Sequence, residues 1–380
     1  MGALSGFRII ELAGIGPAPM GCMMLADMGA EVIRVERPGG NALYLDPVSA
    51  RGKKSVSLNL KAKAGVDAFL QLVDSADVLV EAYRPGVAEK LGVGPDACRK
   101  RNPKLVYARM TGWGQEGPLA QTPGHDINYI ALTGALHAVG RRGEKPVPPL
   151  NLVGDMGGGG MLLVNGVLAA LLEAQGSGEG QVLDVAMIDG TAQLMWMTQG
   201  MQQIGAWDDT ERGVNLLDGC AHFYDTYETA DGKYICVGAI ESQFYAKLVE
   251  LAGVDPELFK DQHDSARWPE LTERLAEVFL SKTRDQWCEI MEGSEACFSP
   301  VLTLSEAPDH PANRMRSSYI QVDGITQHAP APRFSRTPSE VKHGVRPAGA
   351  DTTAVLAAAG VSSNDIAGMI DAGVAAQTNE

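Results

Sequence analysis

The sequence predicts an α/β protein in two parts, a Rossmann-like large domain with a parallel sheet and a smaller α+β domain. Three observations carry this expectation. Between Phe7 and Met110 short apolar runs alternate with helical stretches, an order that folds into a mostly parallel, doubly wound sheet with right-handed crossovers. After about residue 215 the pattern changes to a hairpin signal followed by amphipathic helices. From Pro308 onward, prolines mark a long extended return.

In chain order, Phe7–Leu12 reads as a strand, Gly14-Ile15-Gly16-Pro17-Ala18-Pro19 as a turn, the stretch to Met28 as a helix and Glu31–Glu36 as a second strand. This order, ending on an acidic residue, imitates a dinucleotide-binding unit. Pro19 occupies the third glycine position, however, and two prolines stiffen the turn, which counts against a nicotinamide site. Strand Ser55–Leu60, helix Ala64–Val73 and strands Asp77–Ala82 and Lys104–Met110 continue the alternation. Val66, Phe69, Leu70 and Val73 supply the stripe of a helix packed on a sheet. Strand Gln181–Met187 leads into a methionine-rich helix with Met187, Met195, Met197 and Met201, and Met156 and Met161 lie upstream. Such methionines either fill a core or line a surface for apolar chains of varied shape.

In the second part, Phe223–Glu228 and Lys233–Ala239 flank Ala230-Asp231-Gly232, a hairpin turn. Helix Phe244–Ala252 follows, then one with Leu271, Leu275, Val278 and Phe279 on one face. Thr283–Met291 comes next, opened by a Thr283 and Gln286 capping box. The expected spans are 1–210 for the first part of the large domain, 215–310 for the small domain, and 311–380 for a return segment and C-terminal helices that complete the large one.

A formal charge of −15 argues against nucleic acid or an anionic membrane as partner. The longest apolar run, Met161–Ala174, is interrupted by Asn165 and Gly166 and is expected to be too short to span a bilayer. Six cysteines without Cys-x-x-Cys pairing or a nearby histidine read as reduced thiols, with no metal site. With no basic and apolar leader pattern at the start, the expected location is cytoplasmic. Against this acidic background, Arg34, Arg37, Arg51, Lys53, Lys54, Lys61 and Lys63 face only Glu36 and Asp46 over the same stretch. The cluster is either a solvated positive face or a seat for a polyanionic ligand, and Arg84 and Lys90 could extend it.

Two short stretches hold candidate acid/base residues. His125 and Asp126 precede an expected helix over Ile130–Val139, and Asp155, in Asn151-Leu152-Val153-Gly154-Asp155, precedes the Met161–Ala174 run. Helix N-termini favour a carboxylate or a developing anion, which suits carbanion or enolate chemistry. The same residues also read as ordinary caps.

Taken together, Leu12-Ala13-Gly14, Gly29–Glu36, Ser57–Lys61, Tyr83-Arg84-Pro85-Gly86, Tyr107–Gly114 and Gly124–Tyr129 resemble the class III CoA-transferase superfamily, and within it the alpha-methylacyl-CoA racemase branch. The resemblance runs to about Arg336. It implies that His125 and Asp155 are the two acid/base catalysts of a racemase or epimerase that interconverts (R)- and (S)-2-methylacyl-CoA thioesters by 1,1-proton transfer. Inversion next to a thioester needs proton removal on one face and delivery on the other, so two groups must flank the carbon. The alternative is a class III CoA-transferase with Asp126 as nucleophile. The backbone N–H of Asp126 is the candidate donor to an enolate oxygen.

By resemblance, Glu241 orients His125, although on sequence alone it could equally be a surface carboxylate. Coenzyme A is expected, as part of the acyl-CoA substrate, at Arg37, at Leu58-Asn59-Leu60-Lys61, at Ala82-Tyr83-Arg84, at Lys90 and at Gly124-His125-Asp126-Ile127-Asn128-Tyr129. Lys90 departs from the arginine of close bacterial relatives and offers a point charge in place of a planar fork. The resemblance further implies an interlocked homodimer and no separate cofactor.

Overall fold

The computed structural model describes residues 1–40 and 47–378, so Asp46 lies outside the described residues. The chain divides into two compact units. The first comprises Met1–Thr133, Leu150–Met195 and Tyr319–Glu380, and the second Gly134–Pro149 and Trp196–Ser318.

The first unit opens with β1 (Arg8–Leu12), α1 (Pro17–Asp27), β2 (Glu31–Glu36), β3 (Lys53–Leu58), α2 (Lys63–Val73) and β4 (Val78–Glu81). It continues through α3 (Val87–Lys90), α4 (Pro95–Arg101), β5 (Val106–Thr111) and α5 (Asp126–Ala131). The chain then enters the second unit with α6 (Ala135–Ala138) and returns as a π-helix, Leu152–Met161, continued by α7 (Leu162–Ser177), β6 (Val182–Ala186) and α8 (Met187–Leu194). A second excursion holds α9 (Trp196–Gln203), β7 (Tyr224–Glu228), β8 (Tyr234–Gly238), α10 (Ser242–Ala252), α11 (Trp268–Phe279), α12 (Arg284–Met291), β9 (Phe298–Val301) and α13 (Pro311–Met315). The chain ends with β10 (Tyr319–Val322), β11 (Ile325–His328), α14 (Thr352–Ala358), α15 (Ser363–Asp371) and β12 (Ala375–Ala376) in the first unit.

The sheet order is β12-β3-β2-β1-β4-β5-β6, parallel except for β12 against β3. Its central 3-2-1-4-5-6 order reverses direction between β1 and β4, and the crevice at such a switch point, beyond the carboxyl ends of the strands, is where ligands bind. Both faces are covered, which explains the continuous apolar strands. Ile10, Ile33, Leu79 and Tyr107 face one core with Phe69 and Leu72 of α2, Leu356 of α14 and Ile366 of α15. Their neighbours Ile9, Val32, Val78 and Val106 face the other, with Cys22 and Leu25 of α1 and Leu163 and Val167 of α7.

The expected helix over Ile130–Val139 does not form as one piece. α5 stops at Ala131, and Gly134, at φ 82°, turns the chain into the short α6. The division also departs from the expected spans, since 134–149, 196–210 and 311–318 belong to the second unit. Arg141 pairs with Asp225 at 2.6 Å, and Arg212 Nε donates to the His137 carbonyl at 2.9 Å, tying 134–149 into that unit. The return segment is less extended than its prolines suggest, because β10 and β11 pair as an antiparallel hairpin.

The apolar run also proves longer than expected. The π-helix and α7 form a single helical stretch, Leu152–Ser177, of 26 residues, long and apolar enough to cross a membrane by length and composition. Asn165 and Gly166 do not end it. Its apolar character has a local cause, since Leu163, Val164, Val167, Ala170 and Leu171 are buried against the sheet.

Four glycines, Gly157–Gly160, give the π-helix a bare backbone that α1 and α8 approach closely. A Cβ on Gly190 of α8 would stand 1.9 Å from the Gly158 carbonyl oxygen, and one on Gly160 2.9 Å from Met20 Sδ. Residues with side chains cannot meet at that separation, so this packing fixes the π-helix in place.

The second unit is an antiparallel sheet, β7-β8-β9, with helices packed on it. α12 opens with the expected capping box, in which Gln286 N–H donates to Thr283 Oγ1 at 3.3 Å and Thr283 N–H to Gln286 Oε1 at 2.9 Å.

Candidate active site

The first unit carries two adjoining groups of candidate residues. At the carboxyl ends of β1 to β4 a cleft of about 480 Å³ is lined by Ala13, Gly14 and Ile15, by Arg34 to Arg37, by Leu58, Asn59, Leu60 and Lys61, and by Ala82, Tyr83, Val87 and Leu91. The fold thus gathers Arg37, Leu58 to Lys61, Ala82 and Tyr83 around one space. Asn59 shapes its own loop, its Oδ1 accepting the Lys61 N–H at 3.0 Å. Arg84, Lys90 and Gly124 to Tyr129 are not among the residues lining this cleft.

Much of the basic cluster is paired, in part inside the protein and in part at its surface. Arg51 is buried and pairs with Asp27 at 2.7 Å, Lys53 is buried and pairs with Glu11 at 2.5 Å, Lys54 meets Glu31 at 2.5 Å and Lys63 meets Asp67 at 2.5 Å. Counting charges along a sequence cannot see these partners. What remains at the cleft is Arg34, itself 3.6 Å from Glu36, together with Arg37 and Lys61.

The second group forms where α5 meets the π-helix. His125 is the exposed N-cap residue of α5, and its backbone N–H donates to Asn128 Oδ1 at 3.0 Å, so the Asn128 side chain serves the helix end. Tyr129 donates from its hydroxyl to the Gly124 carbonyl and packs edge-on against Trp113. Asp126 is buried. Its Oδ2 accepts the N–H groups of Gly154 at 2.7 Å and Asp155 at 2.8 Å. Its Oδ1 is buried with no hydrogen-bond partner among the described residues. Asp126 therefore locks the start of α5 to the first turn of the π-helix, and so joins the segments that carry His125 and Asp155.

Asp155 is half-buried and accepts from Asn151 Nδ2 at 3.1 Å. Burial lifts its carboxyl above the ordinary carboxylate range; the Asn151 hydrogen bond opposes this, the Asp126 charge reinforces it, and His125 opposes it. Burial also raises the Tyr129 phenol, with Asp155 and Asp126 pushing the same way and Arg84 the other. His125, Asp126, Tyr129, Asp155 and Arg84 thus form one electrostatic neighbourhood. The glycine turn borders it, since a Cβ on Gly16 would lie 3.4 Å from Asp155 Oδ2.

Glu241 belongs to the second unit, as the exposed N-cap residue of α10, whereas His125 belongs to the first. Sequence reasoning overlooked Ala13 and Ile15 as cleft residues, and Asn151 as the partner of Asp155, whereas it places Arg34 only in the basic cluster. The first two were accessible from the rule that ligands sit beyond strand carboxyl ends. Among the described residues no group of three or more His, Cys, Asp or Glu side chains is placed to hold a metal ion.

The sequence profile described as CoA-transferase family III matches residues 4–352. Alpha-methylacyl-CoA racemase of Mus musculus is 47% identical over 369 residues, covering 96% of this chain and 95% of the relative. Alpha-methylacyl-CoA racemase of Homo sapiens is 43% identical over 338 residues, covering 89% and 88%. Among solved structures, the orthorhombic crystal form of Rv3272 from M. tuberculosis superposes with a TM-score of 0.77 at 32% identity, covering 92% of this chain and 98% of that one.

Proposed function

Because the chain belongs to CoA-transferase family III, we propose that it binds acyl-CoA thioesters and, like the racemases it resembles, interconverts (R)- and (S)-2-methylacyl-CoA by 1,1-proton transfer. The observation that carries this reading is the joining of His125 and Asp155 through Asp126. The Asp126 carboxylate holds the π-helix turn to α5, and Asp155 feels the charges of both Asp126 and His125. In one direction neutral His125 takes the α-proton while protonated Asp155 delivers one to the opposite face; in the reverse direction the roles exchange. A carboxyl held above its ordinary range is suited to the protonated role.

The enolate oxygen needs hydrogen-bond donors, and the N–H groups at the start of α5, Asp126 first, are the proposed ones. Arg37 and Lys61 are the proposed partners of the coenzyme A phosphates, with Leu58, Asn59, Leu60, Ala82 and Tyr83 forming the walls. Arg84, Lys90 and Gly124 to Tyr129 are proposed to complete the binding surface toward the thioester. Glu241 is the proposed orienter of His125. No cofactor is required beyond the coenzyme A that the substrate carries.

We further propose a homodimer in which chains interlock, supported by exposed apolar side chains such as Leu172 and Leu194 in the first unit and Trp196 and Ile204 in the second. Sedimentation equilibrium tests it, a monomer being the refuting result. Six unpaired cysteines fit the proposed cytoplasmic location.

The deciding experiment incubates one enantiomer of a 2-methylacyl-CoA with the protein in deuterated water and no acceptor acid. Deuterium uptake at the α-carbon with loss of optical purity, abolished in His125→Ala and in Asp155→Ala, is the expected result. No exchange on several acyl chains, with transfer of CoA onto a free carboxylic acid, would assign the protein as a transferase instead.

A further inference from the structure

Arg109 stands in the Tyr107–Gly114 phrase yet touches neither of the two candidate groups. On β5 it lies directly opposite Glu81, the last residue of β4. Its Nε donates to Glu81 Oε1 at 2.9 Å, while its Nη1 and Nη2 meet the two oxygens of Glu89, on α3, at 2.9 and 3.3 Å. Glu81 is wholly buried, and its other oxygen accepts the backbone N–H of Tyr83 at 2.6 Å. One guanidinium therefore grips both ends of a short segment. Glu81 and Tyr83 hold its start and Glu89 its end.

That segment forms one wall of the cleft, contributing Ala82, Tyr83 and Val87, with Leu91 just beyond α3. A buried charged pair recovers little net stability, because the desolvation of both ions offsets their attraction. What such a pair supplies well is a defined geometry, and here the geometry belongs to a binding wall. Lysine cannot replace the arginine in this role, since a single ammonium cannot span two carboxylates with a planar fork.

We propose that Arg109 is a positioning residue for coenzyme A binding: through Glu81 and Glu89 it sets the 82–91 segment in the conformation that the ligand meets. The proposal rests on the acyl-CoA reading of the cleft. It separates binding from chemistry, because Arg109 acts on the wall of the cleft and makes no contact with His125, Asp126 or Asp155 among the hydrogen bonds and ion pairs described.

The test uses full-length Arg109→Lys, which keeps a cation beside the buried Glu81, and Glu89→Gln, a milder change at a half-exposed position. Four quantities are measured: the Kd for free coenzyme A by calorimetry, kcat and KM for α-deuterium exchange, and amide hydrogen exchange across residues 82–91 without ligand. Arg109→Lys is expected to raise Kd and KM by about tenfold, the scale of one lost charge-assisted hydrogen bond, and Glu89→Gln by roughly threefold. In both, kcat stays within about twofold and the 82–91 amides exchange faster. Unchanged Kd and unchanged amide exchange in folded Arg109→Lys overturn the proposal, as does a fall in kcat with Kd unaltered. If Arg109→Lys does not fold, unchanged Kd in Glu89→Gln overturns it. Failure of the unmodified protein to bind coenzyme A overturns the acyl-CoA reading and the proposal with it; the amide exchange, read without ligand, then shows separately whether Arg109 holds the segment.

Discussion

Asp126 is the residue on which the two family chemistries diverge, and Asp126→Asn separates them by size of effect. In the racemase reading its carboxylate is a tie, accepting two backbone N–H groups from the turn that carries Asp155. Asparagine keeps the shape, and its carbonyl oxygen can take the place of Oδ2. Each bond then changes from charge-assisted, worth about 1.5–3 kcal/mol, to neutral, worth about 0.5–1.5 kcal/mol. Losing roughly 1 kcal/mol at each of two bonds gives about 2 kcal/mol, which if spent entirely on the transition state is about thirtyfold in rate. Removing the Asp126 charge also removes one of the influences that raise Asp155, so the Asp155 limb of the pH–rate profile shifts to lower pH. The assay is α-deuterium incorporation into an (S)-2-methylacyl-CoA across a pH series. Residual exchange within about two decades of the unmodified protein is the expected result. A loss of four or more decades, of the order seen when a nucleophile is deleted, would refute the tie and make Asp126 a direct participant in the chemistry.

Three further outcomes follow from particular contacts. His222 is fully buried among aromatic rings with its Nε2 2.7 Å from the Tyr245 hydroxyl, and burial lowers its pKa from the ordinary 6.5 to about 4. The unfolded chain takes up a proton on this residue below pH 6.5 and the folded chain only near pH 4. The second unit therefore loses up to about 3 kcal/mol as pH falls through that window, a slope that urea melts should show and that His222→Gln should flatten. Gly190→Ala forces a Cβ to 1.9 Å from the Gly158 carbonyl oxygen and should cost more than about 3 kcal/mol, whereas Gly176→Ala, a helix position with nothing within 4 Å, should add roughly 0.5–1 kcal/mol; paired thermal melts check both signs. Arg37→Ala and Lys61→Ala should each lower kcat/KM about tenfold at low salt, with the deficit shrinking near 0.5 M salt, where screening already weakens the interaction in the unmodified protein.

The parts of the fold that were legible are those where local pattern and tertiary role agree. Glu31–Glu36 emerges as a strand with its expected bounds, and Val66, Phe69, Leu70 and Val73 pack on the sheet as their spacing requires. Prediction fails where distant contacts decide the outcome. The expected helix begins at Met161, because glycine weakens a helix locally, yet helical geometry starts at Leu152, since α1 and α8 need the bare backbone of Gly157–Gly160. The charge excess near residue 50 fails for a similar reason. Arg51 and Lys53 are separated from Asp27 and Glu11 by more chain than any local window spans, and only the fold brings them together.

The sequence names candidate residues for the site, and the fold adds how they are held. The family resemblance names His125 and Asp155 as the proton-transfer pair, and inversion at an α-carbon is consistent with two such groups. Nothing in the sequence says that they differ in environment. His125 is exposed at a helix cap, while Asp155 is half-buried beside a second carboxylate. Two catalysts that exchange roles each need to be found in both protonation states near one pH. An ordinary aspartate, ionised well below neutrality, does not satisfy that condition. Burial together with the Asp126 charge raises Asp155, which gives Asp126 a second task beyond tying the turn. One buried carboxylate thus ties together the segments that carry the two proposed catalysts and helps to hold Asp155 above its ordinary range. Asp126→Asn should accordingly be felt in the rate, through the two hydrogen bonds to Oδ2, and in its pH dependence, through the lost charge beside Asp155.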